Sequence, residues 1–428
     1  MLGKIINAIK KRKTLYLFLV KKYNLIYNFI FNIIRNHNIL YHLALIIKAH
    51  INTKYTINLY QIISVKDLCN KKNQQYIVVE KEQIREICIP KYYGYNEDEL
   101  IKTAISPEIY IAELIDAEII GANSFMIIDN YCLYDMAAMN DENRYDLRYE
   151  SLRIINKNNI ALISSINSNQ IFEKAIFLLG FASNNYFHFT VELLSRLKYI
   201  DSFEEYRQFP LLIDEIVFEI PQNREILKMM NNYNHPIIPI GREYRYKVKR
   251  LIFPSYNIWM PINVKDNADL IYEDFLVANS GIEYVRNTVL SGCKIEGNRK
   301  IFISRKNYNN PRLVNEKEVV ELFYQYGFEI IYPEDLSFNE QVKLFSSSKY
   351  VAGSTGAAFT NIIYCPNKTT VICIIPKKYN FYMYSTIGKI VNLNCIFLDA
   401  RVIKKGRGIS ADQFELDINY CQDFLKTL

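Results

Sequence analysis

Several patterns on which metal and nucleotide sites are commonly built are missing from this sequence. Five histidines occur, three of them in the first 50 residues, and the eight cysteines form no Cys-x-x-Cys pair. These absences argue against a histidine-rich metal centre and a closely spaced zinc site, and we expect most cysteines to be buried, reduced thiols. Neither the Gly-x-Gly-x-x-Gly fingerprint of dinucleotide-binding folds nor a P-loop is present.

Long apolar runs are also missing. No segment approaches the roughly 20 uninterrupted apolar residues that a membrane-spanning helix needs, and no small-residue cleavage site follows an apolar core as in a signal peptide. We therefore expect a cytoplasmic protein. Proline and glycine are sparse, with 12 and 14 residues in 428, and half of the composition is apolar, which predicts a folded protein of two or three domains.

Acidic residues are absent from the first 50 positions, which carry nine lysine and arginine side chains. Their charge of +9 leaves −2 for residues 51–428, because the whole chain sums to +7. Proteins that bind nucleic acid usually carry a basic surface near the binding cleft. The nearly neutral body therefore argues against a nucleic-acid partner.

Residues 1–50 are predicted to be a basic, amphipathic helical arm. Apolar residues recur at helical spacing among the lysines, as in Leu15 to Leu19, which precede Lys21 and Lys22. Two interpretations remain open. The arm either lies on the anionic inner face of the cytoplasmic membrane, where each Lys or Arg contributes about 1 kcal/mol, or it forms a helical hairpin packed on the body.

The remainder of the chain divides by its periodicities. Residues 51–150 form a β-rich segment, and from about Ile160 strand-like and helical stretches alternate, which predicts a parallel sheet covered by helices. We therefore predict an α/β fold with two Rossmann-type lobes, 151–285 and 286–410, around a central cleft, followed by a C-terminal helix in 411–428. The strand candidates of the second lobe are Ile301–Ser304, Glu329–Tyr332, Tyr350–Ala352, Val371–Ile375 and Ile396–Leu398.

Two helix starts in the second lobe are marked by capping residues. Asn315 is predicted to be an N-cap, and Ser337 followed by Glu340 predicts a capping box.

A glycine turn follows the strand around Val351 and leads into a segment ending at Asn361. Its residues are small or hydroxylated: Gly353, Ser354, Thr355, Gly356, Ala357 and Ala358. Backbone N–H groups at the start of a helix attract a diphosphate, and small side chains let it approach closely. The alternative is an ordinary tight turn, in which Asn361 is a structural cap instead of a contact to a ribose or base.

Arg305 supports the first interpretation of this turn. It follows Ser304 at the end of the strand that begins at Ile301, so it projects from the same sheet edge as Gly353. A guanidinium there could hold phosphates bidentately. Lys306 and Arg312 either assist or are solvated loop charges.

A second candidate site lies in the first lobe, where His188 and Glu192 are four residues apart on one face of a predicted helix. Leu193, Leu194 and Leu197 supply its buried side. A His–Glu pair facing a cleft could deprotonate an acceptor hydroxyl. The alternative is a histidine with a purely structural role.

Taken together and in this order, these segments resemble glycosyltransferase family 61. The resemblance covers roughly residues 110 to 400. It is carried by Asn184 to Leu197, Ile303 to Arg305, Leu313 to Glu316, Gly327 to Pro333, Glu340-Gln341, Gly353 to Asn361 and Cys365-Pro366. One departure is Thr355, where the family commonly has a histidine, and this change puts the usual donor in doubt.

The resemblance implies a GT-B fold and an inverting single displacement, without a resident cofactor. The donor is then a nucleotide-sugar, with a UDP-sugar favoured, and the acceptor is a glycan or lipid-linked glycan of the capsule or lipopolysaccharide type. Within the family pattern, the turn at Gly353 and Arg305 are assigned to the diphosphate, and Asn185 and Tyr186 to the acceptor side. Either His188 or Glu192 is the base. No metal is expected, because no Asp-x-Asp motif occurs.

A different class of function is also compatible with this sequence. The chain could be a catalytically silent member that binds glycan or nucleotide and acts as a scaffold for an envelope-assembly complex. Turnover of a donor distinguishes the two.

Overall fold

The computed structural model describes residues 55–96, 100–139, 144–145, 149–155, 159–261, 264–265, 269–305, 312–406 and 411–428. The chain divides into two compact units, Met1–Ile57 and Asn58–Leu428. Within the first unit only residues 55–57 are described, so the predicted arm 1–50 lies outside the described residues.

The strands are β1 Tyr55–Ile63, β2 Gln75–Glu80, β3 Gln83–Cys88, β4 Ile101–Ser106, β5 Ile109–Ile120, β6 Met126–Ile128, β7 Tyr131–Leu133, β8 Leu152–Ile155, β9 Ile160–Phe177, β10 Leu211–Asp214, β11 Ile237–Ile240, β12 Tyr244–Pro254, β13 Arg299–Ile303, β14 Glu329–Ile331, β15 Ser348–Ser354, β16 Thr370–Ile375, β17 Asn394–Asp399, β18 Arg401–Lys404 and β19 Gln413–Glu415.

The α-helices are α1 Val65–Lys72, α2 Asp135–Met139, α3 Leu197–Ile200, α4 Pro221–Met230, α5 Asn279–Val289, α6 Glu316–Gln325, α7 Phe338–Ser346, α8 Met383–Ile390 and α9 Ile418–Leu425. A π-helix covers His188–Leu193, and 3-10 helices cover Leu194–Arg196, Glu204–Tyr206, Glu215–Glu219, Tyr272–Phe275, Pro333–Asp335, Ala357–Tyr364 and Lys377–Tyr379.

Ten strands form a mixed sheet. Its order is β1-β7-β6-β5-β12-β9-β10-β11, with β2 added beside β5 and β8 beside β9. Strand β9 is parallel to β10 and β12, and β10 is parallel to β11, but β5 pairs antiparallel with both β12 and β2. The parallel sheet predicted for 151–285 therefore holds for only part of it. Alternation along the chain does not encode that β5, from the β-rich segment 51–150, pairs with the distant β12.

The second sheet is fully parallel, with the order β14-β13-β15-β16-β17. All five strand predictions of this region are confirmed within a few residues. Alternate residues of each strand enter cores on opposite faces, as when Ile301 and Ile303 join one core and Phe302 the other. Helices α6 and α9 cover the second face and α7 and α8 the first, as a parallel sheet requires. The fold is thus mixed α/β, as predicted.

The two predicted helix starts have different outcomes. At α7 the capping box is confirmed, because Ser337 Oγ accepts from Glu340 N at 3.3 Å while Ser337 N donates to Glu340 Oε2 at 2.8 Å. Asn315 precedes α6, but its amide does not cap that helix. It donates instead to the carbonyl of Leu416 at 2.8 Å, so a tertiary partner outcompetes the local one.

The eight cysteines are all unpaired thiols, and five of them are buried, which confirms that part of the expectation. Across the parts of the chain that the structure describes, no helix is long and apolar enough to cross a membrane.

Candidate active site

The second sheet has a topological switch point between β13 and β15. From β13 the chain first adds β14 on one side and then crosses to add β15 on the other side. In such sheets ligands bind in the crevice outside the carboxyl ends of the strands at the switch point. Ile303, the last residue of β13, lies opposite Gly353 near the end of β15, so Arg305 and the glycine turn emerge at this crevice.

Arg305 packs directly against the turn. A Cβ built on Gly356 would lie 1.9 Å from Arg305 Nη2 and 2.6 Å from its Cζ. Because Gly356 has a φ of 164°, which is ordinary extended backbone, glycine is required here for space and not for conformation. The backbone N–H of Arg305 donates to Glu316 Oε1 at 2.6 Å, and Ser304 Oγ donates to the same oxygen at 3.0 Å. Glu316 therefore anchors the start of the Arg305 loop.

The turn itself presents hydrogen-bond donors. The backbone runs from the buried Ser354 and Thr355 into half-buried Gly356, Ala357 and Ala358, where a 3-10 helix begins. Tyr384 Oη donates to the Gly356 carbonyl at 2.5 Å and holds the turn in place. Ser354 Oγ is buried and has no hydrogen-bond partner among the described residues.

Arg312 is a second cation at the turn. Its Nη1 donates to the Thr355 carbonyl at 3.3 Å. Burial lowers the pKa of Arg312, and repulsion by the nearby charge of Arg305 lowers it further. Like charges held together are typical of an anion site. In the sequence Arg312 is one charge among several in a polar loop, and no pattern distinguishes it.

His188 and Glu192 form the pair expected from their spacing. Their side chains are 23% and 19% exposed, and His188 Nδ1 is 2.8 Å from Glu192 Oε2. A carboxylate can only accept, so neutral His188 carries its proton on Nδ1 and a lone pair on Nε2. Burial is the largest single effect and lowers the pKa of His188, but the charge of Glu192 and its hydrogen bond together outweigh burial and place that pKa above its ordinary value. In this geometry Glu192 fixes the orientation of the His188 ring and leaves Nε2 as its unprotonated nitrogen.

Arg196, one helical turn beyond Glu192, is a functional candidate that the sequence did not single out. Its side chain is 2% exposed and lies over the Tyr256 ring with Cζ 4.7 Å from the centroid. Within the described ranges, its Nε and Nη1 have no hydrogen-bond partner. Burial lowers its pKa, whereas Tyr256 and Glu192 oppose that effect. Glu192 therefore lies close enough to this buried cation for their charges to interact.

Direct contacts join the segment that carries His188 to the residues around the glycine turn. Tyr186 Oη donates to Asn361 Oδ1 at 2.7 Å, and the ring of Phe187 lies edge-on to Tyr384, with centroids 6.4 Å apart. Asn185 is exposed and accepts from Phe187 N at 2.9 Å, so it stabilises the start of the helical segment that carries His188.

The comparisons with known proteins agree with this site. Residues 186–372 match the family model Glycosyltransferase 61. This region belongs to glycosyltransferase family 61. The match begins at Tyr186 and covers the His188–Glu192 pair, Arg305, Arg312 and the whole glycine turn, so the predicted resemblance is confirmed. No curated protein matches the chain.

The surroundings of Asn361 differ from those expected for a residue that contacts the nucleotide. Its side chain is fully buried, and its Nδ2 donates to Gln341 Oε1 at 2.7 Å while Oδ1 accepts from Tyr186. Contact with a ribose or base would require this fully buried amide to become accessible. Distant tertiary partners, which spacing does not reveal, engage this amide.

A separate groove of about 740 Å³ opens at the carboxyl end of β17. It is lined by Asn315, Glu318, Lys378, Asp399, Ala400, Arg401, Val402, Glu415, Leu416, Asp417 and Ile418. None of the predicted site residues lines this groove. Arg305, Arg312 and the glycine turn meet instead at the switch-point crevice.

Proposed function

We propose that this protein transfers a sugar from a nucleotide-sugar donor to a glycan acceptor, with the donor diphosphate bound at the switch-point crevice. The observation that carries the proposal is the guanidinium of Arg305 lying against Gly356, where a side chain would displace it. Membership of the matched region in a glycosyltransferase family supports the same chemistry.

In this proposal the acceptor hydroxyl attacks the anomeric carbon of the donor and gives its proton to His188 Nε2. The bond between that carbon and the phosphate oxygen breaks, and the nucleoside diphosphate leaves with the electron pair. Arg305, Arg312 and the N–H groups of the turn stabilise its negative charge. Glu192 keeps His188 in the tautomer that can accept the proton. A single displacement of this kind inverts the anomeric centre.

Further parts of the proposal concern architecture and partners. The ten-stranded and five-stranded sheets are the acceptor and donor lobes of a GT-B enzyme, with the second sheet binding the nucleotide. The favoured donor is a UDP-sugar, transfer does not require a metal, and the acceptor is a glycan or lipid-linked glycan of the capsule or lipopolysaccharide type. The basic residues 1–50 provide a contact to the inner face of the cytoplasmic membrane.

A thermal-shift panel of UDP-, GDP-, CMP- and dTDP-sugars tests the donor class. A ligand that binds only the folded state raises the melting temperature. We expect one nucleoside diphosphate sugar to do so and to be consumed when acceptor glycans are supplied. Binding without turnover would favour the catalytically silent scaffold. A panel with no shift would refute the proposed donor site.

A further inference from the structure

A chain of buried hydrogen bonds links the segment before His188 to the helix that follows the glycine turn. Tyr186 Oη donates to Asn361 Oδ1 at 2.7 Å, and Asn361 Nδ2 donates to Gln341 Oε1 at 2.7 Å. Gln341 Nε2 in turn donates to the carbonyl of Pro333 at 2.8 Å, and to that of Leu336 at 3.2 Å. Tyr186 lies between β9 and β10, whereas Pro333 and Leu336 lie between β14 and α7.

Each side chain in this series of hydrogen bonds has partners, which restricts its movement. Both polar ends of the Asn361 amide are used, and the side chain is fully buried. Burial raises the pKa of Tyr186, so its hydroxyl stays protonated and remains a donor to Asn361. Satisfied buried networks define one arrangement of the groups they join, because any alternative leaves a polar group unpaired in a low dielectric.

Tyr186 and Asn361 lie close in sequence to the two parts of the proposed site, the base and the glycine turn. Tyr186 is two residues before His188, and Asn361 is one turn beyond Ala357, where the helix after the glycine turn begins. A parallel aromatic contact runs from Phe187 to Tyr384, whose hydroxyl holds the Gly356 carbonyl at 2.5 Å. The base and the diphosphate turn are therefore connected by one polar and one aromatic route.

Resting on the proposed function, we propose that Tyr186 and Asn361 are positioning residues that hold His188 at a set distance from the donor. The hydrogen bond between them does not touch the donor, so donor affinity is independent of it. The rate of transfer does depend on this hydrogen bond. General-base catalysis requires the acceptor hydroxyl, held by His188, to approach the anomeric carbon in near-attack geometry.

The test is Tyr186→Phe, which removes the hydroxyl and keeps the ring. We expect the affinity for UDP, or for GDP or dTDP where the donor panel selects one of them, to stay within about twofold, while kcat for transfer falls by about tenfold or more. Tyr199→Phe is the matched control. Tyr199 is also buried, but its hydroxyl bonds to Ser280 at 3.0 Å, outside this network, so we expect near wild-type kcat.

Asn361→Leu, of similar size, removes the other partner. Since both variants break the same contact, adding Tyr186→Phe to Asn361→Leu should lower kcat little further. Equal and independent losses from the two substitutions would contradict the positioning role. This cycle compares folded variants with each other, so a uniform loss of stability in Asn361→Leu does not imitate the result.

A readout independent of turnover is the NMR signal of the His188 imidazole. In the wild-type protein we expect the nucleoside diphosphate to shift this signal, and in Tyr186→Phe we expect a smaller shift at equal saturation. Saturable nucleotide binding with identical His188 shifts and identical kcat in both proteins would overturn the inference and leave the proposed function intact. A wild-type protein that binds no nucleoside diphosphate would overturn both.

Discussion

The guanidinium of Arg305 lies in the space that Gly356 leaves by having no side chain. A Cβ on Gly356 would lie 1.9 Å from Arg305 Nη2, well inside any permitted contact. One residue follows β13 and the other follows β15, so the contact forms only because these strands are neighbours in the sheet. The relationship gives a steric test of the donor site that leaves every charge in place.

Gly356→Ala should displace Arg305 and weaken the binding of the donor nucleotide by about tenfold to a hundredfold, since a charge-assisted contact is worth about 1.5–3 kcal/mol. Calorimetric titration with the selected nucleoside diphosphate measures this loss of affinity. Gly297→Ala is the control, because a Cβ there meets nothing closer than 3.7 Å. Undiminished binding in Gly356→Ala would show that Arg305 does not hold the diphosphate.

Arg305→Ala should reduce donor affinity to a similar degree without changing the fold, because the guanidinium and not the Arg305 backbone contributes the charge. Arg299→Ala is the matched control at the other end of β13. Arg299 pairs with Glu329 on an exposed part of the surface, so its loss should leave donor affinity unchanged. A thermal-shift titration of both variants checks this, and equal effects would argue for a general electrostatic contribution.

His188→Gln and Glu192→Gln should spare donor binding and reduce transfer, the first nearly to background. The pH dependence distinguishes their roles. A base must be neutral, so wild-type transfer should fall as pH drops through the raised pKa of His188. In Glu192→Gln burial remains and the raising charge is gone. The acid limb of kcat against pH should then move to lower pH, with a lower plateau. A limb that moves to higher pH would contradict this assignment.

The same pair contributes to stability in a predictable pH window. The pKa of His188 is raised in the folded state, so protonation stabilises the fold fully below the unfolded value of about 6.5 and the effect is lost as pH rises through the folded pKa. His188→Gln should therefore lower the free energy of unfolding more at pH 5 than at pH 9. Urea unfolding at both values measures this difference, and an equal loss at the two would rule out the proposed linkage.

Ser337→Ala should destabilise the protein by about 1 kcal/mol, because it removes the hydroxyl that accepts from Glu340 N and donates to Glu340 Oε2 at the start of α7. Chemical denaturation gives the value. Asn339→Ala, an exposed change in the same first turn, should cost much less. Comparable losses in both variants would mean that the capping box contributes little to α7.

Much of the second sheet could be predicted because its strands are short, apolar and buried on both faces. Ile301 and Val371 belong to short apolar runs, which are typical of buried strands, and the polar segments between them contain recognisable helix starts. The first sheet was less predictable, since β5 and β12 are about 125 residues apart and nothing local specifies an antiparallel pairing.

The candidate site, like the fold, could be predicted from the sequence only in part. Spacing alone placed His188 and Glu192 on one helix face, and strand order placed Arg305 near Gly353. Arg196 was not found by this reasoning, and for Arg312 an assisting role and a solvated loop charge both stayed open, because a buried cation and a solvated one look alike in a sequence. Asn361 was expected to face a nucleotide, but its amide is engaged by Tyr186 and Gln341.

The sequence by itself determined which residues form the parallel strands of the second sheet, where the glycine turn lies and which family the chain resembles, because these depend on periods and motifs within short stretches. Tertiary structure alone decided that Arg305 rests on Gly356, that His188 carries its proton on Nδ1, and that Tyr186 bonds to Asn361. The physical reason is that hydrogen bonds and close contacts act over a few ångströms in space, between residues that lie far apart along the chain.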